Sequence, residues 1–262
     1  MKNANLKIFE LLSPKFERDN IKLGLSRIKK ALQELGNPCK NIPAIQIIGT
    51  NGKGSIAAYL ESILFEAKKN FGVTTSPHLF DVCERIRVNK KNINKTDFEK
   101  IYTLIEKKFS TFELTPFEKI ICCALNFFDH HKVELLILEA GLGGRLDATT
   151  AHKSRPIIAI GNIGLDHKEF LGDTIEKIAM EKLAVIEKNS IVISCNQSSQ
   201  VEKLINLEQR INMCREKMQL EVFNVESKKL LSLSTLISNK SRNMKHNYKV
   251  TENNKKWYNL GE

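Results

Sequence analysis

The sequence predicts an α/β fold: a P-loop-containing, mostly parallel sheet with helices on both faces. Short apolar runs alternate with amphipathic helical patterns between about residues 21 and 193, and such alternation gives right-handed crossovers and parallel strands. A glycine-rich stretch, Gly49–Ser55, follows the first apolar run, and polar clusters follow three later runs. Because open α/β sheets bind ligands at the carboxyl ends of their strands, these clusters are expected to converge on one active site.

The composition fits a cytoplasmic protein with a sizeable core. The chain has 262 residues, 42% of them hydrophobic, and contains no run of about 18 apolar residues that would span a membrane. Six scattered cysteines without a Cys-x-x-Cys motif favour reduced, buried thiols over disulfides or a zinc site. The net charge of +11 comes from lysines spread along the chain. This spread favours a solvated surface, and a nucleic-acid-binding module is the lowest-ranked alternative.

The first half of the chain predicts two strands separated by helices. A helical pattern covers residues 21–35, and the first strand covers 44–48. The helix that leaves the glycine-rich stretch runs to about residue 69, and Phe71–Thr75 is a short second strand that delivers Ser76. Capping-box spacing from Thr96 to Glu99 predicts a further helix. The buried stripe expected for the helix after the glycines consists of Ile56, Leu60, Ile63, Leu64 and Ala67.

The second half continues the alternation. Thr115, Pro116 and Glu118 form a complete helix start, and that helix runs to about His130. Strands follow at 133–139, 157–160 and 191–193. A capping box begun by Asp173 predicts a helix to about residue 187, and 200–218 is compatible with one more helix. Glu118 therefore has a complete structural explanation as a capping group, whatever else it does.

The stretch Gly49–Ser55 has the arrangement that holds phosphate. Glycines allow the backbone to approach an anion, the free N–H groups of the helix start point at it, and Lys53 adds a cation. The match to the common P-loop is imperfect, because Gln46 occupies a glycine position and Gly54 delays the hydroxyl to Ser55. The alternative interpretation is an ordinary glycine turn between strand and helix.

Two polar side chains at predicted strand ends are candidate metal ligands. Glu139 lies just before a second glycine-rich loop, where a carboxylate suits Mg²⁺ beside a nucleotide. The alternative is that Glu139 pairs with nearby Arg145. His167 follows the strand at 157–160 and is equally compatible with a loop histidine that has no ligand.

These motifs together resemble folylpolyglutamate synthase, including its bifunctional dihydrofolate synthase form, within the Mur ligase superfamily. The resemblance spans about residues 20–195 and covers the motifs in the family's order. The carrying segments are 35–38, Gly49–Ser55, 75–79 with 84–86, Phe117–Glu118, 141–149 and 164–167. The fold it implies is that of the Mur ligase central domain. The Gly-Lys-Gly-Ser ending, which departs from the common P-loop, is typical of this family.

The resemblance implies an ATP-dependent ligase of folate biosynthesis and one-carbon metabolism. ATP would phosphorylate a carboxylate of dihydropteroate or of a folate, and the amine of L-glutamate would attack the acyl phosphate. The nucleotide would be bound by Asn51, Gly52, Lys53, Gly54 and Ser55. Ser76 and Glu139 would bind one Mg²⁺, and His167 would bind a second one, supported by a carbamylated Lys182. The residues implied as catalytic are Lys53, Glu139, His167 and Lys182. The substrate would contact Thr115, Pro116, Phe117, Glu118, Leu146, Asp147 and Ala148.

The sequence also departs from the family. Thr150 stands where an asparagine is usual, Lys168 where a threonine is usual, and Leu183 and Val185 where smaller residues are usual. Residues 1–225 are expected to be the ATP-binding domain, and 226–262 a polar tail or linker toward an absent glutamate ligase domain. We therefore expect a monomer with little ligase activity alone, or one completed by a separate C-terminal polypeptide. The alternative is a non-catalytic nucleotide-binding remnant. No membrane or nucleic-acid partner is expected.

Overall fold

A computed structural model describes residues 19–187 and 190–214, which are built around one seven-stranded sheet. Its strands are β1 Ala44–Ile48, β2 Phe71–Thr74, β3 Ile86–Val88, β4 Lys91–Asn92, β5 Leu135–Glu139, β6 Ile157–Ile160 and β7 Ile191–Ser194. Their spatial order is β4-β3-β2-β5-β1-β6-β7. All neighbours from β2 to β7 in this order are parallel, whereas β3 and β4 are antiparallel additions at the β2 edge. The predicted mostly parallel sheet is confirmed.

Helices cover both faces of the sheet, as predicted. They are α1 Ser26–Glu34, α2 Lys53–Glu66, α3 Lys95–Lys108, α4 Pro116–His130, α5 Lys168–Leu171, α6 Ile175–Leu183 and α7 Ser199–Cys214, with 3₁₀ turns at Val82–Arg85 and Ala148–Ala151. Helix α2 packs on one face against the odd-numbered side chains of β1, Ile45 and Ile47. On the other face, α1, α3 and α4 form one apolar cluster, and α6 with α7 forms a second.

The start of α4 agrees with the sequence in every detail. Thr115 Oγ1 accepts a hydrogen bond from the Glu118 N–H, the Glu118 carboxylate accepts one from the Thr115 N–H, and Pro116 is the first helical residue. This reciprocal pairing satisfies two N–H groups that a helix start leaves open.

Several predicted element boundaries were wrong. Helix α1 begins five residues later than expected, because Gly24 just before it has φ +147°, outside the helical range. Helix α2 starts at Lys53, inside the glycine stretch. Helix α3 is capped by Asn94, whose side chain accepts from the Asp97 N–H at 2.8 Å, and not by Thr96. Helix α6 ends at Leu183 and not near residue 187.

The hairpin of β3 and β4 was missed in the sequence. Its strands have only three and two residues, and the apolar Ile86 and Val88 alternate with Arg87 beside the polar pair Lys91–Asn92, so the segment lacks the continuous apolar run of a buried parallel strand. The stripe expected on α2 was also partly wrong, because Ile63 is 43% exposed whereas Glu61 is only 7% exposed. In the part of the chain that the structure describes, no helix is long and apolar enough to cross a membrane. The predicted tail, 226–262, lies outside the described residues.

Candidate nucleotide and metal site

The glycine-rich stretch forms a tight turn that ends β1 and begins α2. Gly52 precedes α2 with φ +84°, a left-handed conformation that favours glycine. The first N–H groups of α2 have no partners inside the helix, and no acidic residue lies in its first turn. Gly54 and Ser55 are exposed there. This helix start is therefore open to an anion, as the phosphate-loop interpretation requires.

The loop after β6 holds this turn in place. The N–H groups of Thr50 and Asn51 both donate to the Asn162 carbonyl, at 2.7 and 3.2 Å. A Cβ on Gly161 would lie 2.5 Å from the Asn51 carbonyl oxygen, so the two loops touch through their backbones. Because backbone contacts fix both loops, the turn has its shape before any ligand binds.

Two lysine side chains meet at one carbonyl of the turn. The Nζ atoms of Lys53 and Lys182 donate to the Gly49 carbonyl at 3.1 and 3.0 Å, and Lys53 also donates to the Thr50 carbonyl at 3.1 Å. Lys182 is buried, and burial together with the charge of Lys53 lowers its pKa to about 8. An amine must lose its proton before it reacts with CO₂, and this environment makes the neutral form of Lys182 accessible.

Ser76 and Glu139 are adjacent at the carboxyl ends of β2 and β5. The Ser76 N–H donates to Glu139 Oε2 at 3.2 Å, and the Glu139 carboxylate is 4% exposed. Burial raises the pKa of Glu139, while the Ser76 hydrogen bond and the charges of Lys53 and Arg87 oppose that rise. The Ser76 hydroxyl is buried without a hydrogen-bond partner. A hydroxyl that lacks a partner beside a buried carboxylate fits a hard cation, which prefers oxygen ligands.

The alternative partner for Glu139 is engaged elsewhere. Arg145 donates from Nε to Glu181 Oε2 at 2.9 Å, on α6. The alternative Glu139–Arg145 pair is therefore not formed in this structure.

His167 is the least constrained of the predicted ligands. It precedes α5 with φ +46°, and its ring lies 3.5 Å from Asp166 and 4.0 Å from Glu169. Among the described residues, no group of three or more His, Cys, Asp or Glu side chains is arranged to hold a metal ion. The structure thus joins Ser76 to Glu139, and Lys182 to the turn at Gly49–Ser55, which is called the phosphate turn below after its predicted role. A hexacoordinate Mg²⁺ would take its remaining ligands from water and phosphate, as it commonly does.

The two predicted substrate segments contact each other. A Cβ on Gly141 would lie 2.8 Å from the Phe117 ring, so the start of α4 packs directly on the loop at 141–149. Glu118 Oε2 accepts from the Thr115 N–H and from Arg27 Nε at 3.1 Å, whereas its Oε1 is buried without a partner. Among the buried side-chain atoms at the α4 start that the structure describes, Oε1 is the acceptor left without a partner.

Asp147 organises the neighbouring loop from within. Its carboxylate accepts from the N–H groups of Gly141, Leu142 and Thr149 at 2.8 to 2.9 Å, and from the Thr149 hydroxyl at 2.5 Å. Both oxygens are occupied, so Asp147 shapes the loop that carries Leu146 and Ala148. Its side chain has little capacity left for a ligand.

A buried polar network below this loop was missed in the sequence. Gln46 Nε2 donates to the hydroxyls of Thr149 and Thr150 at 3.0 and 2.7 Å, and its Oε1 accepts from Arg155 at 2.7 Å. Arg155 in turn pairs with Glu187. The available signal was Gln46 itself, a polar residue in an apolar strand. Thr150, which replaces the usual asparagine, takes part by donating to the Gly144 carbonyl at 2.8 Å.

The chain is similar in sequence to known enzymes. The chain is 37% identical over 186 residues to dihydrofolate synthetase of Saccharomyces cerevisiae, covering 68% of this chain and 44% of the relative. It is 37% identical over 182 residues to the dihydrofolate synthase/folylpolyglutamate synthase of Bacillus subtilis, covering 66% and 42%. The chain is a homologue of the N-terminal part of the folylpolyglutamate synthase/dihydrofolate synthase family. It spans less than half the length of these relatives.

Solved structures of the family have the same fold. E. coli FolC in complex with DHPP and ADP superposes with a TM-score of 0.67 at 32% identity, over 72% of this chain and 46% of that one. A bifunctional folylpolyglutamate synthase/dihydrofolate synthase with Mn, AMPPNP and L-glutamate bound gives a TM-score of 0.65 at 32% identity, over 72% and 47%. The predicted family and fold are confirmed.

One family model matches elsewhere in the chain. The SoxA/TsdA cytochrome c domain matches residues 197–246. A c-type haem is attached through Cys-x-x-Cys-His, and this stretch contains a single cysteine, Cys214. The match therefore carries no haem site.

Proposed function

We propose that this chain is the ATP-binding part of a ligase that joins L-glutamate to dihydropteroate or to a folate through an acyl phosphate. The observation that carries the proposal is the meeting of the phosphate turn with Lys53 and Lys182, beside the buried Ser76–Glu139 pair. Relatives with this fold bind ADP with DHPP, or AMPPNP with Mn and L-glutamate. The same ligands are the natural candidates here.

In this proposal, Asn51 to Ser55 bind the ATP phosphates through backbone N–H groups, and Lys53 leaves the Gly49 carbonyl to follow them. Ser76 and Glu139 would hold Mg²⁺, which would supply positive charge beside the transferred phosphoryl group. The acyl phosphate would form close to the turn, because Lys53 and the helix start stabilise its developing negative charge. His167 follows Asp166, whose charge acts on Lys182, and it would be a ligand for a second metal ion.

Lys182 has a specific proposed role. As an ammonium it would repel a nearby metal ion, whereas as a carbamate it would attract one. Its lowered pKa of about 8 favours the neutral amine that CO₂ needs, and Leu183 and Val185 beside it are buried in the α6 cluster. The larger residues at 183 and 185 are thus accommodated in the core, and the lowered pKa of Lys182 comes from its own burial and from the charge of Lys53.

Substrate would lie against the joined segments, Thr115 to Glu118 and Leu146 to Ala148. The free Glu118 Oε1 offers an acceptor for an N–H of the pterin, and Phe117 offers a ring for stacking. Asp147 would act by shaping the loop. Residues 1–225 form the ATP-binding domain in this proposal, and the protein acts as a monomer in the cytoplasm.

The second candidate is nucleotide binding without ligation. It is favoured by one observation: the contacts of Lys53 and the Ser76–Glu139 pair would serve a nucleotide and a metal ion, and both would be used in nucleotide binding alone. ADP release from ATP by the purified chain, measured with and without L-glutamate and dihydropteroate, separates the two. Release that depends on both substrates supports the ligase. Tight ADP binding without such release supports the second candidate, and no ADP binding refutes both.

A further inference from the structure

The loop that carries Ser76 is held by the segment that follows it. The Glu84 carboxylate accepts hydrogen bonds from the N–H groups of Leu79, Phe80 and Asp81, at 2.8, 3.0 and 2.8 Å. Glu84 itself is placed by the turn leading into β3. The anchoring of β3 therefore contributes to the position of the loop that carries Ser76, together with the Ser76 N–H bond to Glu139 and the Thr75 N–H bond to the Arg85 carbonyl.

Arg87 provides that anchor. It lies on β3 opposite Val73 of β2, and its Nη1 donates to the Thr75 hydroxyl at 3.0 Å and to the Glu84 carbonyl. Thr75 is the residue directly before Ser76. The Nη1 atom of Arg87 thus contacts both Thr75 and Glu84, which lie at the two ends of the loop that carries Ser76.

The other guanidinium nitrogens of Arg87 contact α2, the helix that follows the phosphate turn and is called the phosphate helix below. Nε and Nη2 donate to the Glu61 carboxylate at 3.0 and 3.1 Å, in a two-point pairing. The side chains are 17% and 10% exposed, so water screens the pair weakly. Glu61 lies two turns along α2 from Lys53, about 12 Å along the helix axis. Glu61 is also where the predicted apolar stripe of α2 failed, since a carboxylate occupies the inward face.

We propose that Arg87 is a positioning residue that ties the Ser76 loop to the phosphate helix, so that metal and nucleotide bind as one unit. This inference rests on the proposed function of the site. The tie is geometric, because it needs the planar fork of arginine to reach the Glu61 carboxylate and Thr75 together. Glu61 also offsets the charge of Arg87, which acts on Glu139 and would otherwise disfavour a cation there.

Arg87→Lys tests the geometry while keeping the charge. The measurement is the affinity for ADP by titration calorimetry on the full chain, with Mn²⁺ and again with EDTA. We expect Mn²⁺ to strengthen ADP binding to the unmodified chain, and this gain to fall about tenfold in Arg87→Lys, as for other residues that orient a metal ligand. Affinity in EDTA should stay within twofold, because the phosphate turn is held independently by the loop after β6.

Two further variants separate the effect of this contact from the effect of losing any ion pair. Thr75→Val removes one acceptor with little change of shape, and it should lower the Mn²⁺ gain in the same direction by a smaller factor. Lys119→Gln removes a different ion pair, with Glu106 at 3.0 Å between α4 and α3, and should leave the gain unchanged. Urea unfolding of each variant shows whether a smaller effect of Mn²⁺ on ADP affinity is accompanied by a loss of folding stability.

The outcomes separate the two proposals. No ADP binding by the unmodified chain overturns both the proposed function and the tie. Binding with the same Mn²⁺ gain in Arg87→Lys and in the unmodified chain refutes the tie alone. Equal losses in Mn²⁺ and in EDTA also refute it, because they indicate general loosening. If Arg87→Lys does not fold, an unchanged gain in Thr75→Val overturns the inference and a reduced gain supports it.

Discussion

Adding one methyl group at Gly161 should disable the phosphate turn. A Cβ there would lie 2.5 Å from the Asn51 carbonyl oxygen, where ordinary contact begins at 3.4 Å, so the two backbones must separate by about 0.9 Å. Overpacking of this kind costs about 1–3 kcal/mol. Asn51 lies in the turn, so the displacement moves the N–H groups meant for phosphate. Losing one or two charge-assisted hydrogen bonds of about 1.5 kcal/mol each lowers ADP affinity about 10- to 100-fold.

Gly164→Ala is the matched control for Gly161→Ala. It adds the same methyl group in the same loop, where the nearest atom would be Asn162 Oδ1 at 3.7 Å. Titration calorimetry with ADP and urea unfolding should be run on both variants. We expect the Gly164 variant to bind ADP like the unmodified chain. Equal ADP affinity in the Gly161 variant would refute the argument that these backbones fix the turn.

Three further predictions concern buried carboxylates and Lys182. The lowered pKa of Lys182, about 8 against an ordinary 10.5, means that the unfolded chain binds more protons between these values. Stability should therefore rise by about 2 kcal/mol from pH 8 to 10, and urea midpoints should show that Lys182→Met loses this rise. Because burial raises the pKa of Glu139, the Mn²⁺ gain in ADP affinity should fall as the pH is lowered toward that pKa, and Glu139→Gln should show a small gain without this dependence. Glu118→Ala should cost about 2 kcal/mol in urea unfolding, since it removes a cap and leaves Arg27 unpaired; a loss below 0.5 kcal/mol contradicts this.

The predictions that held rest on short-range patterns. The capping box of α4 was predicted from four adjacent residues, because each partner is within one helical turn of the other. The strand bounds of β1 and β6 were also correct, since a buried parallel strand is apolar along its whole length. The hairpin of β3 and β4 was not predicted, because its Arg87 is charged. The sequence does not reveal that Arg87 pairs with Glu61 of α2.

The sequence by itself determined the fold class, the order of strand, glycine turn and helix at residues 44–66, and the family, because these depend on local spacing and on motif order. Only the tertiary structure decided the partners of the charged and polar side chains. Arg145 pairs with Glu181, 36 residues away, and leaves Glu139 to Ser76. Lys182 reaches the Gly49 carbonyl across 133 residues, and Gln46 reaches Thr149 across 103. Such pairings follow from which strand ends meet, and their energies depend on burial that exists only once the sheet has formed.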